Sequence, residues 1–500
     1  MKVPRRRQLF YQPRRSNLYR IFALVLVILA VVWFAAHLKS GAVRNPFEPT
    51  PTPTRTSSSW AQEGDADFDA GDLKAAITAY NQATLTNPLD AGAWAKLARI
   101  QTYSSRLLTN DVQRLARLEQ ARQSIDRAVA LAPDDSDVHA YRSFVLDWSA
   151  DPALDPLRAS GSPKAADLLL QAEQEAVVAQ SLNNQNALAL AYYAEILTDE
   201  QKWTQAEQVI QQALVLDPNI MDVHRAYGYV LESIGSYNQA IQEYQKALAI
   251  NPNLTFLYIS VGTNYRTLAK NSTIDTQTSQ LYQLALDNFV KAVEINTVNQ
   301  DQDPTPYIAI AKTYSQEGEF FIAAQNALQA IAFDPTNADL YGQLGIIYQK
   351  GRNYESAIFA LQCAVLGCDP AVDKNVNCQA RFARDCAVGD DSVKVNGLAL
   401  SPNTEFYYAA YGSVLAALSP NHPEYCTNAV TVLTELQAQY GTDPTISAIA
   451  KDGLDICAGV QARAAETPTP AYTLTPVPTP RSTPFLRTPP TPFFYPTWTP

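Results

Sequence analysis

The chain has 500 residues, 38 of them basic and 49 acidic, for a net charge of −11. Nine of the basic residues and none of the acids fall in the first 44 positions, so the remainder stands at −20, which disfavours nucleic acid and anionic lipid as partners because there is no excess basic surface to displace counterions. There are only four histidines, and no HExxH, GxSxG, GxxxxGKS or GxxxxGKT pattern occurs. Hydrolytic and nucleotide chemistry therefore lack their usual parts, and no catalytic residues, cofactor or metal site are expected.

The chain opens with a basic segment, 1–20, expected in the cytoplasm. It runs into 21–38, eighteen residues in which only His37 is polar. As a helix this stretch would reach about 27 Å, close to the thickness of a hydrocarbon core. A cleaved signal peptide is the alternative, since Phe34-Ala35-Ala36 offers small residues, but the apolar run and the basic lead are both long for one. As an anchor it leaves everything after residue 40 outside the membrane, because seven of the nine charges precede it. Residues 39–58 are rich in Thr-Pro, which favours extended polyproline II and makes a stiff spacer.

From 59 to 370 a helical hairpin recurs. Its clearest copy spans Met221 to Leu254, where His224, Tyr227, Gly228 and Leu231 mark one helical face. Gly235 breaks the pattern, Ala240, Tyr244 and Ala247 open a second stripe, and Pro252 ends it. Thirty-four residues earlier Ala206, Ile210, Ala213 and Pro218 repeat that second half. Other copies begin near Trp60, Trp94, Ser136, Thr255, Tyr307 and Tyr341, with inserted loops expected at 151–163 and 271–280. A degenerate ninth lies at 405–441. The spacing aromatic-x2-L-G-x2-Y, then A-x3-F, then P resembles the tetratricopeptide repeat, with His224, Tyr227 and Leu231 as departures. The resemblance implies an all-α, right-handed solenoid of about eight to nine hairpins, in which the first helix of each pair lines a concave, peptide-binding side.

All six cysteines, Cys363, Cys368, Cys378, Cys386, Cys426 and Cys457, lie in the last third, around a non-repeating insertion at 371–402. Their spacing fits no zinc site, so disulfides are expected, with reduced buried thiols as the alternative. Cys426 with Cys457 would tie the last repeat, in 403–465, to a capping helix that covers the final exposed stripe. The tail, 466–500, has eleven prolines among 35 residues and cannot form a core.

On the concave slots the resemblance places Arg225, Tyr229, Phe256, Arg266, Lys312 and Lys350, a basic track suited to an acidic or extended peptide. The carboxylate clamp that the family uses, a Lys with Asn four residues on, is absent from these slots. Taken together the sequence suggests a bacterial, single-pass, extracytoplasmic scaffold that binds proteins or peptides at the membrane for envelope assembly and is not an enzyme. The alternative is a cell-wall or polysaccharide-binding surface protein that uses exposed aromatics and the Thr-Pro tail.

Overall fold

A computed structural model describes residues 17–39, 55–108, 110–390 and 392–466. Most of the basic lead, the Thr-Pro spacer and the proline-rich tail thus lie outside the described residues. The described chain holds twenty-one α-helices, one 3-10 turn at Pro152–Leu157 and no β-strand, the only extended pairing being an isolated bridge between Cys368 and Val395.

The first helix, α1 (Leu18–Lys39), carries the apolar run, and its described side chains are exposed on every face up to Phe34. Among the described residues no helix is long and apolar enough to cross a membrane, and the side chains of α1 are described without a break only as far as Phe34. The span expected at 21–38 is therefore not a feature that the fold supplies.

Eight hairpins follow: α2/α3 (Ser57–Asp69, Leu73–Thr86), α4/α5 (Ala91–Ser105, Asp111–Leu131), α6/α7 (Ser136–Ser149, Ala165–Leu182) and α8/α9 (Ala187–Asp199, Trp203–Leu216). Then come α10/α11 (Met221–Ser233, Tyr237–Ile250), α12/α13 (Thr255–Asn271, Asp275–Val298), α14/α15 (Thr305–Glu317, Phe320–Phe333) and α16/α17 (Ala338–Lys350, Tyr354–Val365). Helix α18 (Lys374–Phe382) sits in the insertion, α19/α20 (Glu405–Leu418, Tyr425–Tyr440) form a ninth pair, and α21 (Pro444–Glu466) packs on both. The loop expected at 271–280 is mostly helix, because α13 starts at Asp275, where an acid in the first turn suits the helix dipole.

Corners between hairpins reuse one device. Several second helices stop just before a proline, as at Asn87-Pro88, where the Asn87 N–H still reaches the Ala83 carbonyl. At some corners the next helix starts on a polar cap: Asp90 accepts from the Ala93 N–H at 3.0 Å and Asn186 from Ala189 at 3.1 Å, whereas α10 and α12 start on Ile220 and Leu254 without one. The aromatic slot of the new helix turns back on the proline carbonyl six residues earlier: Trp94 Nε1 to Pro88 at 3.1 Å, Tyr258 to Pro252 at 2.9 Å and Tyr341 to Pro335 at 2.8 Å. His224 Nε2 holds Pro218 at 2.9 Å and His139 Nε2 holds Pro133 at 2.8 Å. His and Tyr thus replace tryptophan in this slot because each also ends in a group that can donate to that carbonyl.

In several hairpins the helices meet at a glycine. A Cβ at Gly228 would lie 2.7 Å from the Tyr244 ring, and one at Gly64 2.4 Å from Tyr80. Such approach lets the ring fill the crossing.

The cysteines form three pairs, Cys363–Cys368, Cys378–Cys386 and Cys426–Cys457, and none among the described residues is free. The first ties the end of α17 to Cys368, which bridges to Val395 of the insertion, and the same return gives the Leu398 N–H to the Ala364 carbonyl at 2.8 Å.

The superhelix closes on itself after its first hairpins. The corner after α2 rests on the corner after α11 and on the end of α13: Asn251 Nδ2 donates to Asp69 Oδ1 at 2.6 Å, Asn253 Nδ2 to the Asp69 carbonyl at 3.0 Å, and Asn299 Nδ2 to the Ala70 carbonyl at 3.1 Å. Gly71 adopts φ +81, and a Cβ there would meet the Asn253 carbonyl at 2.0 Å, so this junction demands glycine twice over.

Gly228→Ala is expected to lower the urea midpoint by the equivalent of about 1–2 kcal/mol, overpacking against Tyr244 outweighing the helical gain from alanine. Gly92→Ala, whose Cβ would meet only Asp90 Oδ1 at 3.5 Å, should leave the midpoint unchanged or raise it. Chemical denaturation of both variants checks the pair.

Candidate functional site

The inner helices α4, α6, α8, α10 and α12 turn large side chains toward a common axis. Tyr103 stacks on Phe256 with centroids 4.8 Å apart, meets Trp148 edge-on at 5.6 Å and touches Phe144 at 5.1 Å, and Phe144 stacks on Tyr192 at 4.6 Å. These rings come from hairpins up to 153 residues apart, and they fill the space that an open superhelix would leave as a groove.

Two ion pairs are set among the rings. Asp222 accepts from Arg99 Nε at 3.2 Å, from the Tyr192 hydroxyl at 2.7 Å and from the Tyr103 hydroxyl. Arg225 Nε donates to Tyr103 Oη at 2.9 Å while its other nitrogens grip Glu195, Nη1 reaching Oε2 at 2.9 Å. Trp148 Nε1 adds a donor to Glu195 at 3.3 Å. Burial opposes the charge on Asp222, but Arg99, Arg225 and the Tyr103 hydroxyl outweigh it and hold the carboxyl down at about 2. Every member is satisfied, as a buried network requires.

The expected basic track is divided by this core. Arg225 (4% exposed) and Phe256 (3% exposed) belong to the axis and offer no open face to a peptide. Tyr229 is half-buried and donates its hydroxyl to Asp199 Oδ1 at 2.5 Å. All three line one cavity of ≈ 470 Å³ that also takes in Asp147, Trp148, Glu195 and Asp199. The track had been drawn from the repeating slot alone, and that slot faces inward wherever the turn closes.

Arg266, Lys312 and Lys350 instead line a second cavity of ≈ 600 Å³, between α12, α14, α16, α19 and α21. Ile346, Ile347, Ala409 and Ala410 give it an apolar floor, Gln316, Gln343 and Gln349 supply amides, and no carboxylate lines it. Arg266 is tethered by Nη1 to the Ala309 carbonyl at 3.1 Å and lies 5.6 Å from the Phe289 ring; burial brings its guanidinium down to about 10. Burial also lowers the Lys312 ammonium, with Asp339 pulling the other way from behind the wall. The Tyr407 hydroxyl donates to that Asp339 carboxyl at 2.7 Å, and Asp339 is raised, chiefly by burial. Lys350 is exposed at the rim. Phe406, Ser413 and Ile449, contributed by the ninth hairpin and α21, were not expected here. Their signal was weak because the insertion separates them in sequence from the repeats they close against.

Comparison with known proteins bears out the repeat. Fold and spacing define a helical-repeat solenoid. Tetratricopeptide repeat models match residues 62–102, 187–254 and 326–359, and those segments are tetratricopeptide repeats. The structure is similar to TTC0263, a thermophilic tetratricopeptide protein of Thermus thermophilus, at 20% identity and TM-score 0.33, covering 42% of this chain and 98% of that one. It is also similar to a tetratricopeptide repeat protein from Parabacteroides merdae, at 15% identity and TM-score 0.32, covering 58% and 98%. A human IFIT1 dimer with m7Gppp-AAAA matches at 14% identity and TM-score 0.49, covering 82% and 91%.

Asp147 at the first cavity is raised well above the usual carboxylate range by burial and then by Asp199 and Glu195. The folded chain thus holds a proton there that the unfolded chain releases above pH 3.8, so this residue's contribution to stability is present below that pH and is lost as pH rises. Asp147→Asn should therefore match wild type near pH 4 and exceed it increasingly toward pH 8, as thermal unfolding across that range would show.

Proposed function

We propose that this protein is a binding scaffold, held at the outer face of a membrane, that takes an extended, acidic peptide segment of a partner protein in the cavity between α12, α14, α16, α19 and α21. The observation that carries the reading is the lining: Arg266, Lys312 and Lys350 with an apolar floor and no carboxylate, in a chain of net charge −11. Cations in such a groove steer and hold an anionic strand while the floor takes its apolar side chains. The role is binding, not catalysis.

Support for the membrane-anchored placement comes from the sequence of 21–38, eighteen residues in which only His37 is polar. Lysine and arginine outnumber acids in the residues before it, which favours a cytoplasmic N-terminus. Three cysteine pairs fit an oxidising compartment beyond the membrane.

Fluorescent peptides that alternate Glu or Asp with Leu or Phe should bind the full-length protein, and more weakly as salt is raised. Lys312→Gln together with Lys350→Glu should weaken them at least tenfold, about 1.4 kcal/mol, with helical content retained by circular dichroism. Equal binding by wild type and variant, or a preference for Lys-rich peptides, would remove the groove from the account. In cells, alkaline carbonate should leave the chain in the membrane pellet, and protease added outside should digest the solenoid; release by carbonate would contradict the anchor.

A further inference from the structure

The axial cavity contains an acid pair that the ion-pair network leaves unused. Asp147, near the C-terminal end of α6, is 5% exposed and lines the cavity, and its Oδ1 has no hydrogen-bond partner. Asp199 on α8 lines the same cavity, and burial raises both carboxyls, Asp147 further through the neighbouring Asp199 and Glu195, so the pair keeps a proton.

The neighbouring acids each have a cation. Glu195 on α8 grips Arg225 of α10, and Asp151, in the corner after α6, pairs with Arg114 of α5. Tyr229 of α10 donates to Asp199, and Arg106, which follows α4, has its guanidinium carbon 5.7 Å from the Trp148 ring centroid. Tyr244 of α11 donates to Glu232 and so is turned to another acid. Asp147 and Asp199 thus line the cavity without an ion-pair partner, beside the rings of Trp148, Tyr229 and Phe256.

We propose that this cavity binds a single organic cation, a primary amine or a guanidinium, held by the Asp147 and Asp199 carboxylates against the surrounding rings. The rings supply faces that attract a cation, and the unpartnered Asp147 Oδ1 supplies an acceptor where a buried acceptor without a donor is costly. The proton leaves to solvent as the ligand enters, so both carboxylates end ionised around one positive group and the local charge is unchanged. The ≈ 470 Å³ volume suits a free amino acid, a small diamine or one Lys or Arg side chain of a partner. This site is separate from the groove between α12 and α21, and neither depends on the other.

The test is titration calorimetry on the full chain in detergent micelles at pH 6.5, with L-arginine, L-lysine amide and 1,4-diaminobutane as probes and sodium acetate as control, each run in two buffers of different ionisation enthalpy. At least one probe should bind, with a buffer-dependent heat that reports release of close to one proton, and acetate should not. Asp147→Asn should cost at least tenfold in affinity and abolish the proton release; the neutral amide replaces an acid that already keeps its proton, so the fold should survive, as circular dichroism will show. Asp199→Asn, at the exposed mouth, gives an independent second variant with the same expected loss. Failure of all three probes at millimolar concentration would overturn the proposal, as would binding without proton release, or equal binding by both variants.

Discussion

Two buried ion pairs, Asp222 with Arg99 and Arg225 with Glu195, joined through the Tyr103 hydroxyl, are the constraint on which the rest of this solenoid depends. Buried pairs of this kind add little net stability compared with apolar packing, but removing one partner strands a charge at a cost of about 3–5 kcal/mol. What they fix here is register. Asp222 on α10 takes donors from α4 and α8 at once, so satisfying it requires those three helices to keep this relative placement. The ring stack from Tyr103 to Phe256 then closes the turn, and the junction of Asp69 and Gly71 with Asn251 and Asn253 seals it from outside.

The closure divides one repeat architecture into two kinds of surface. Where inner helices carry Tyr103, Phe144, Trp148, Tyr192 and Phe256, the axis is a core with a residual acidic cavity. Where they carry Lys312, Gln316, Gln343 and Ile346, it stays open, because long polar side chains keep their ends in water and do not interdigitate across an axis. The ninth hairpin and α21 then wall that opening on its far side. A chain can hold both because each hairpin packs chiefly on its sequence neighbours, so inner-face composition can change along the array while the hairpins repeat.

The hairpins themselves were legible in the sequence. Gly228 against Tyr244, Ala240, and the prolines Pro88, Pro133, Pro218, Pro252 and Pro335 after second helices are local features that a 34-residue period exposes directly. His224 stood out only as a departure from the aromatic slot, and its bond to the Pro218 carbonyl shows what the slot requires. The axis was not legible. Arg99 and Asp222 are 123 residues apart, and nothing in a repeat's own period says which inner faces will meet after a full turn. Tyr229 and Lys312 occupy equivalent slots, one residue after Gly228 and Ala311, yet Tyr229 lines the closed axis while Lys312 lines an opening; curvature summed over several hairpins decides between them, not any one residue.

The most direct measurement of the closed turn is a distance across it. Nitroxide labels on cysteines placed at exposed Ala66 and Val298, in a chain whose described native cysteines are all paired, would be read by pulsed electron resonance in wild type and in Asp222→Ala. The account predicts one narrow distance in the parent chain and a broadened, longer distribution in the variant, with helical content retained. A broad distribution in the parent, or the same narrow one after Asp222 is removed, would contradict the claim that the axial ion pairs hold the superhelix shut.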